Sequence, residues 1–274
     1  MFENEQLKII SLGWGVQSWT MAAMVALGEL PPVDLAIHSD TGWERQSTYA
    51  FRARWEPWLA ERGVKVVTVV NPEGILNNFG GVIIPAYTIS EENNVRGQLR
   101  RQCTKDWKIT PMRRYIEDEL KRRNQKKKPG IVELWLGITK DEWRRAKDSD
   151  VKYIKYRYPL LEMGYSRADC LAWLERNDLP NPGKSSCTFC PYHSRKAWEE
   201  MKREGGDDWR QAVEADAIIR YRRPPYPLFV HPECKPLAEA VRIPEDYGAK
   251  QINMFDLLES NDRDAECDSG YCFL

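Results

Sequence analysis

No run of apolar residues in this 274-residue chain comes near the roughly 20 needed to cross a bilayer. That excludes a helical membrane span and, with 30% of residues charged, predicts a soluble protein with no membrane partner. Residues 1–8 are polar and lead straight into Ile9 and Ile10, without the basic-then-apolar layout of a secretory signal, so the expected location is the cytoplasm. A net charge of either sign is also absent, since 41 Lys and Arg balance 41 Asp and Glu. There is no internal repeat, which excludes a solenoid.

What is present begins with cysteine. Seven cysteines exceed what a reduced compartment needs for packing, and an odd number cannot all pair, so metal or redox chemistry becomes the leading explanation. The zero net charge hides an asymmetry: residues 96–128 carry thirteen Lys or Arg against four acids, whereas residues 245–274 carry eight acids against two bases. A basic face suits a nucleotide or nucleic acid, although such runs are more often solvated helix faces.

Periodicity supplies the architecture. Residues 7–12 (LKIISL), 33–38 and 64–70 read as strands, 18–27 and 48–62 as helices, and 131–138 as a further strand after a Pro-started helix over 111–123. The alternation predicts an α/β fold with a parallel sheet and helices on both faces. Residues 71–95 hold Gly80, Gly81 and Pro85 without a period and read as a long loop over the site. Beyond Asp150, helices are expected over 166–176 with Ser166 as cap, over 195–203 and over 209–221, giving a mostly helical, cysteine-containing C-terminal part. The expected division is a nucleotide-binding α/β domain at 1–150, a helical cysteine-containing region at 151–243 that completes a metal site, and an acidic tail at 244–274.

Between the first strand and helix lies Ser11-Leu-Gly13-Trp-Gly15-Val-Gln17-Ser18. Amides at a helix N-terminus meet phosphate oxygens, Gly13 and Gly15 permit unusual backbone conformations, and Ser11 and Ser18 offer hydroxyls. The Gly-Lys-Ser ending of a P-loop and the spacing of a dinucleotide fingerprint are both missing. Two further segments follow in order. Asp40-Thr41-Gly42 ends the second strand, at the sheet edge where ligands gather. Gly137 precedes Glu142 by five residues and Arg145 by eight, an acid to orient phosphate or hold Mg²⁺ and a cation to neutralise it.

Cys187-Thr-Phe-Cys190-Pro191 is the sharpest feature, two thiols at chelating spacing with a proline ending the turn; zinc knuckles use the same spacing. Cys103 sits in Arg101-Gln-Cys103-Thr-Lys105-Asp-Trp-Lys108. For a four-ligand metal site Cys170 is the choice of fourth ligand, with Cys234 and His193 as competitors. His38, on a strand, reads as a packed histidine. Cys267 and Cys272 lie in the acidic tail, where neighbouring carboxylates disfavour a thiolate.

These motifs resemble the ATP-pyrophosphatase and phosphoadenosine-phosphosulfate (PAPS) reductase-like superfamily over roughly residues 7–195. The loop at 11–18 resembles its Ser-Gly-Gly-x-Asp-Ser pyrophosphate loop in the Gly-Val-Gln-Ser variant, with Gly13 and Trp14 departing from it and the role of Trp14 open. Asp40-Thr41-Gly42 resembles the reductases' Asp-Thr-Gly, and the segment 137–145 resembles the second nucleotide motif. Cys103 with the Cys187–Cys190 pair resembles the ligand set of iron-sulfur adenylylsulfate reductases. The resemblance implies an adenine nucleotide alpha hydrolase-like fold, ATP or PAPS with Mg²⁺ as ligands, and an iron-sulfur cluster, with zinc as the alternative. It implies ATP-dependent sulfur transfer, by adenylation of an acceptor oxygen with pyrophosphate release, with nucleotide or nucleic acid as acceptor and a sulfur-donor protein as partner. Two rivals stand beside it: a PAPS reductase using Cys267 or Cys272 as nucleophile, and a non-catalytic zinc-stapled nucleic-acid adaptor. Glu142 and the two tail cysteines are the catalytic candidates. Oligomeric state stays open, a homo-oligomer included.

Overall fold

The computed structural model describes residues 6–76, 82–90, 92 and 94–243. Five strands form the main sheet: β1 (Leu7–Ser11), β2 (Leu35–Asp40), β3 (Val66–Val70), β6 (Val132–Trp135) and β7 (Ile154–Arg157). They lie in the order β3-β2-β1-β6-β7, every pair parallel. Strand β1 shows why: Leu7 and Ile9 enter one core while Ile10 enters the other, and a parallel sheet needs both faces covered. Helix α1 (Val16–Ala26) is buried from Val16 to Val25, since the sheet lies on one side and α5 (Arg167–Arg176) on another. Its all-round apolar character follows from that position. Helix α2 (Gln46–Glu61) packs on the same face through Phe51, Trp55 and Trp58, and α3 (Thr110–Arg122) covers the opposite face with Met112, Ile116 and Leu120.

Strand β7 lies past the boundary expected at residue 150, yet it is the edge strand of this same sheet, and α5 packs on α1. The expected cap on α5 forms: Ser166 accepts from the Asp169 amide while Asp169 accepts from the Ser166 amide. The Ser166 hydroxyl and then its amide, both donating to the Asp169 carboxylate, hold that carboxyl down at about 2.

A second unit is assembled from two distant stretches. Strands β4 (Tyr87–Ser90), β5 (Val95–Gln98) and β8 (Leu228–Phe229) form an antiparallel sheet in the order β5-β4-β8. With α6 (Arg195–Glu204), α7 (Gly206–Ile219) and the short α8 (Leu237–Ala240) it encloses a core that includes Ile83, Ile84, Trp107, Phe189, Trp198 and Leu228. The stretch 71–95, expected to be a loop, therefore contributes a strand and part of β5 to this unit. Among the described residues no helix is long and apolar enough to cross a membrane.

Candidate functional site

Strand order reverses at β1, whose chain continues to β2 on one side and whose other neighbour is β6. Such a switch point opens a crevice at the carboxyl ends of the strands. Here it holds the segment 11–18 and Gly137. Gly15 caps α1 in extended conformation, and the first intrahelical bond runs from the Trp19 amide to the Gly15 carbonyl at 2.9 Å. The amides of Val16, Gln17 and Ser18 precede that bond and face the crevice end of the helix. Gly137 approaches them closely: a Cβ there would lie 3.0 Å from the Ser18 nitrogen and 3.2 Å from the Gln17 carbonyl carbon.

The loop differs from expectation in two details. Its left-handed residue is Trp14 (φ 58°), not a glycine, and Gly15 has φ −86°. Trp14 is buried against Trp19, His38 and Phe51, so it anchors the loop from beneath. The Ser18 hydroxyl accepts from the Gly13 amide and donates to the Gly15 carbonyl, each at 3.2 Å, which closes the loop on itself. Ser11 is buried at the end of β1. His38 is packed as expected: Nδ1 meets the Leu12 carbonyl at 3.1 Å, and burial holds its pKa below the usual 6.5.

Over the loop lies the turn Lys140–Arg145. Glu142 accepts from Gln17 Nε2 at 3.4 Å and from Arg145 at 3.3 Å, and Gln17 Oε1 accepts from Arg167 at 3.4 Å. Gln17, Glu142 and Arg145 are thus brought together as the resemblance implied, and Arg167 joins them. Nothing in the sequence marked Arg167 except its place after the Ser166 cap.

Asp40, Thr41 and Gly42 divide. Asp40 Oδ1 accepts from the Gly42 amide at 2.8 Å and the Tyr49 hydroxyl at 2.9 Å, while Oδ2 lies 3.6 Å from Arg52; this carboxylate braces the turn against α2. Burial and the Asp40 charge push the Tyr49 hydroxyl well above its ordinary range. Thr41 points the other way, into a cleft of about 480 Å³, open mouth included, lined by Cys103, Cys187 and Cys190. The three cysteines that the motifs linked therefore share one cavity.

Its walls add residues that sequence reasoning missed. Thr41 Oγ1 lies 3.2 Å from Cys187 Sγ and 3.2 Å from Glu44 Oε1. Glu44 is buried; its Oε1 is 3.7 Å from Lys108 Nζ and 3.8 Å from Cys187 Sγ, and its Oε2 has no hydrogen-bond partner among the described residues. A backbone bridge pairs Glu44 with Cys187, and the Thr188 amide donates to the Trp43 carbonyl at 2.8 Å. The only hint in the sequence was an acid three residues after Thr41. Ser185, also on the cleft wall, donates to the Gly13 carbonyl of the phosphate loop.

The fourth-ligand candidates lie elsewhere. Cys170 is buried on α5 in the core against α1, where burial pushes its thiol up to about 12. It therefore does not join the other three, because the helix face it shares with Leu174 turns toward α1. Cys234 is buried with Sγ near the Thr88 and Pro232 carbonyls. His193 holds the Cys187 carbonyl through Nε2 at 2.9 Å and stacks edge-on against Trp198, so it supports the cysteine turn from behind. Burial lowers its pKa to about 3. Cys267 and Cys272 lie outside the described residues. Among the described residues no three His, Cys, Asp or Glu side chains are placed to bind a single metal ion. Tetrahedral zinc needs such convergence, whereas a cubane takes one thiolate at each iron and needs thiols spread around a cavity. Cys103, Cys187 and Cys190 supply three thiols around one cavity, the donor type that such a cluster takes.

No protein family matches the sequence, and no curated protein does. Among solved structures the chain is similar to the phosphoadenylyl-sulfate (PAPS) reductase from Candida auris in a phosphate complex, at 13% identity and a TM-score of 0.40, covering 66% of this chain and 76% of that one. It is also similar to the tRNA thiolase NcsA from Methanococcus maripaludis with its 4Fe-4S cluster, at 14% identity and a TM-score of 0.39, covering 81% and 74%. Likeness at that level carries no chemistry, which must come from the chain's own side chains.

Proposed function

We propose that this chain is an enzyme of nucleotide-dependent sulfur chemistry, in which ATP adenylates an oxygen of an acceptor and sulfur then displaces AMP. The observation that carries the reading is the Ser185 hydroxyl, which ties the wall of the three-cysteine cleft to Gly13 of the phosphate loop. Nucleotide-holding and sulfur-handling groups are then neighbours at one sheet edge.

The α1 N-terminus would receive the triphosphate, Arg145 and Arg167 would offset its charge, and Glu142 would hold Mg²⁺. The acceptor oxygen attacks the α-phosphorus and pyrophosphate leaves; a sulfur nucleophile at the hydrosulfide level then takes the place of AMP, without net redox change. Cys103, Cys187 and Cys190 would hold an iron-sulfur cluster, which when bound supplies a site for that sulfur. The apolar cleft residues Ile75, Ile84 and Phe189 exclude water from it.

Anaerobically reconstituted full-length protein tests this. ATP should bind by calorimetry, Ser18→Ala combined with Gly15→Val should abolish the heat, and iron should be lost in Cys103→Ser, Cys187→Ser and Cys190→Ser. Unchanged ATP affinity in the loop variant would remove the reading. Sulfite release from PAPS, abolished by Cys267→Ser or Cys272→Ser, would replace it with the reductase.

A further inference from the structure

The basic stretch 96–128 separates into two parts in the fold. On and just after α3 its cations are paired: Arg113 with Asp150, Lys121 with Asp118, Arg122 and Arg123 with Glu119, and Lys127 with Glu117. That half is a solvated, neutralised helix face. Arg96 and Arg100 differ. Both are exposed and neither has a carboxylate partner among the described residues; Arg96 donates to the Pro232 carbonyl at 3.4 Å. Leu99 packs into the second core, so alternation along the edge strand β5 places Arg96 and Arg100 on the outward side. The strand runs toward the thiol cleft, whose lip is formed by Arg101 stacked on Tyr192.

A second exposed segment of the same unit is the turn 221–226, Tyr-Arg-Arg-Pro-Pro-Tyr. Tyr221 is 82% exposed and Tyr226 48%, two of the three exposed aromatic side chains among the described residues. Arg222 and Arg223 are exposed and likewise without a carboxylate partner there. Arg222 donates to the Leu76 carbonyl, beside Ile75 of the cleft wall. The turn joins the small sheet through the Thr88 hydroxyl, which donates to the Pro227 carbonyl at 2.9 Å. The nearest described acids in sequence are Glu92 to Arg96 and Asp216 to the turn, and Asp216 is buried and paired with Arg220.

Exposed arginines without carboxylate partners among the described residues, together with exposed aromatic rings, suit a phosphate backbone carrying unstacked bases. We propose that the second unit binds single-stranded nucleic acid across the mouth of the thiol cleft, with Arg96, Arg100 and Arg223 on phosphates and Tyr221 and Tyr226 stacking bases. As a bound polymer it stands on this surface alone; as the sulfur acceptor it rests on the function proposed above.

Fluorescence anisotropy with the full chain and a labelled mixed-sequence single-stranded RNA of about 20 nucleotides tests it. Tyr221→Ala should weaken binding by roughly 5- to 100-fold. The triple change Arg96→Ala, Arg100→Ala, Arg223→Ala should lower the slope of log affinity against log salt by about 2, from three phosphates at roughly 0.7 each. Lys121→Ala with Lys127→Ala on the paired face should change neither, and ATP binding should be equal in all variants. A duplex of the same sequence should bind more weakly, because its bases are stacked already. Equal RNA affinity in the patch variants, equal loss in the paired-face variant, or no preference over duplex would overturn the proposal. So would competition by polyglutamate as effective as by RNA, or binding to phosphatidylserine vesicles that the patch variants lose. RNA binding without ATP binding would leave this surface standing and remove the adenylation reading; ATP binding without RNA binding would do the reverse.

Discussion

The main sheet and the second unit solve the problem of core formation differently. In the first, consecutive segments neighbour one another: β1, α1, β2, α2 and β3 are adjacent in sequence and in space. In the second, β4 lies between β5, a few residues on, and β8, about 140 residues away. The first unit presents backbone amides at a sheet edge, and the second presents thiols, arginines and tyrosines. Regular structure here carries the proposed phosphate site, and irregular, non-local structure carries the thiol cleft and the proposed nucleic-acid surface.

That division can be broken by substitution. The largest effect is expected for Trp198→Ala, which empties a fully buried site in the second core behind His193 and should cost about 3–5 kcal/mol in urea unfolding. Iron retention should fall with it, while ATP still binds below the unfolding transition. Equal loss of both would show that the units are not separable in function. Gly137→Ala acts on the other side. Its new Cβ would press on the Ser18 amide, an overpacking worth about 1–3 kcal/mol. We expect ATP affinity to drop about tenfold or more with iron content unchanged, and loss of iron would contradict the assignment.

A smaller effect separates the cysteines. Cys170→Ser should cost about 1 kcal/mol and leave iron at wild-type content, whereas Cys187→Ser should strip it. Cys170 should also resist iodoacetamide at pH 8 in the folded protein, since its thiol is held near 12. Iron loss in Cys170→Ser would restore it as the fourth ligand. The smallest effect concerns His38. Burial lowers its pKa, so below about pH 6.5 the unfolded chain takes up a proton that the native chain refuses. Its contribution is complete above that pH and falls away as pH drops. His38→Asn, which can still donate to the Leu12 carbonyl, should make the decline in melting temperature between pH 7 and 5 shallower; an identical slope would refute it.

Most of the main sheet was legible because period and burial agree. Leu7, Ile9 and Ile10 alternate between two cores, and Ser166 with Asp169 states its helix start in four residues. β7 was hidden because an edge strand tolerates Lys155 and Arg157, which blur its apolar pattern. β4 and β5 were hidden because Pro85, Gly97 and the Asn pair before Val95 look like loop, and their partner β8 is remote. In the site, the family resemblance linked Cys103 to Cys187 and Cys190 and linked the loop at Gln17 to the segment of Glu142. Spacing could not say that Thr41 faces the thiols while its neighbour Asp40 faces α2, a choice made by Tyr49 and Arg52 one helix away. Nor could it place a left-handed Trp14 between two glycines, where aromatic packing fixes the backbone.

The bond between Ser185 and Gly13 would make the two proposed sites thermodynamically answerable to each other. Any ligand that shifts the Gly13 carbonyl changes the hydroxyl that shapes the thiol cleft, and the coupling free energy is the same read from either end. A nucleotide that tightens the loop alters the affinity of whatever occupies the cleft, and an occupied cleft alters nucleotide affinity by the same factor. Under the proposed function, one hydroxyl would thus let the nucleotide site sense whether the thiol cleft is occupied.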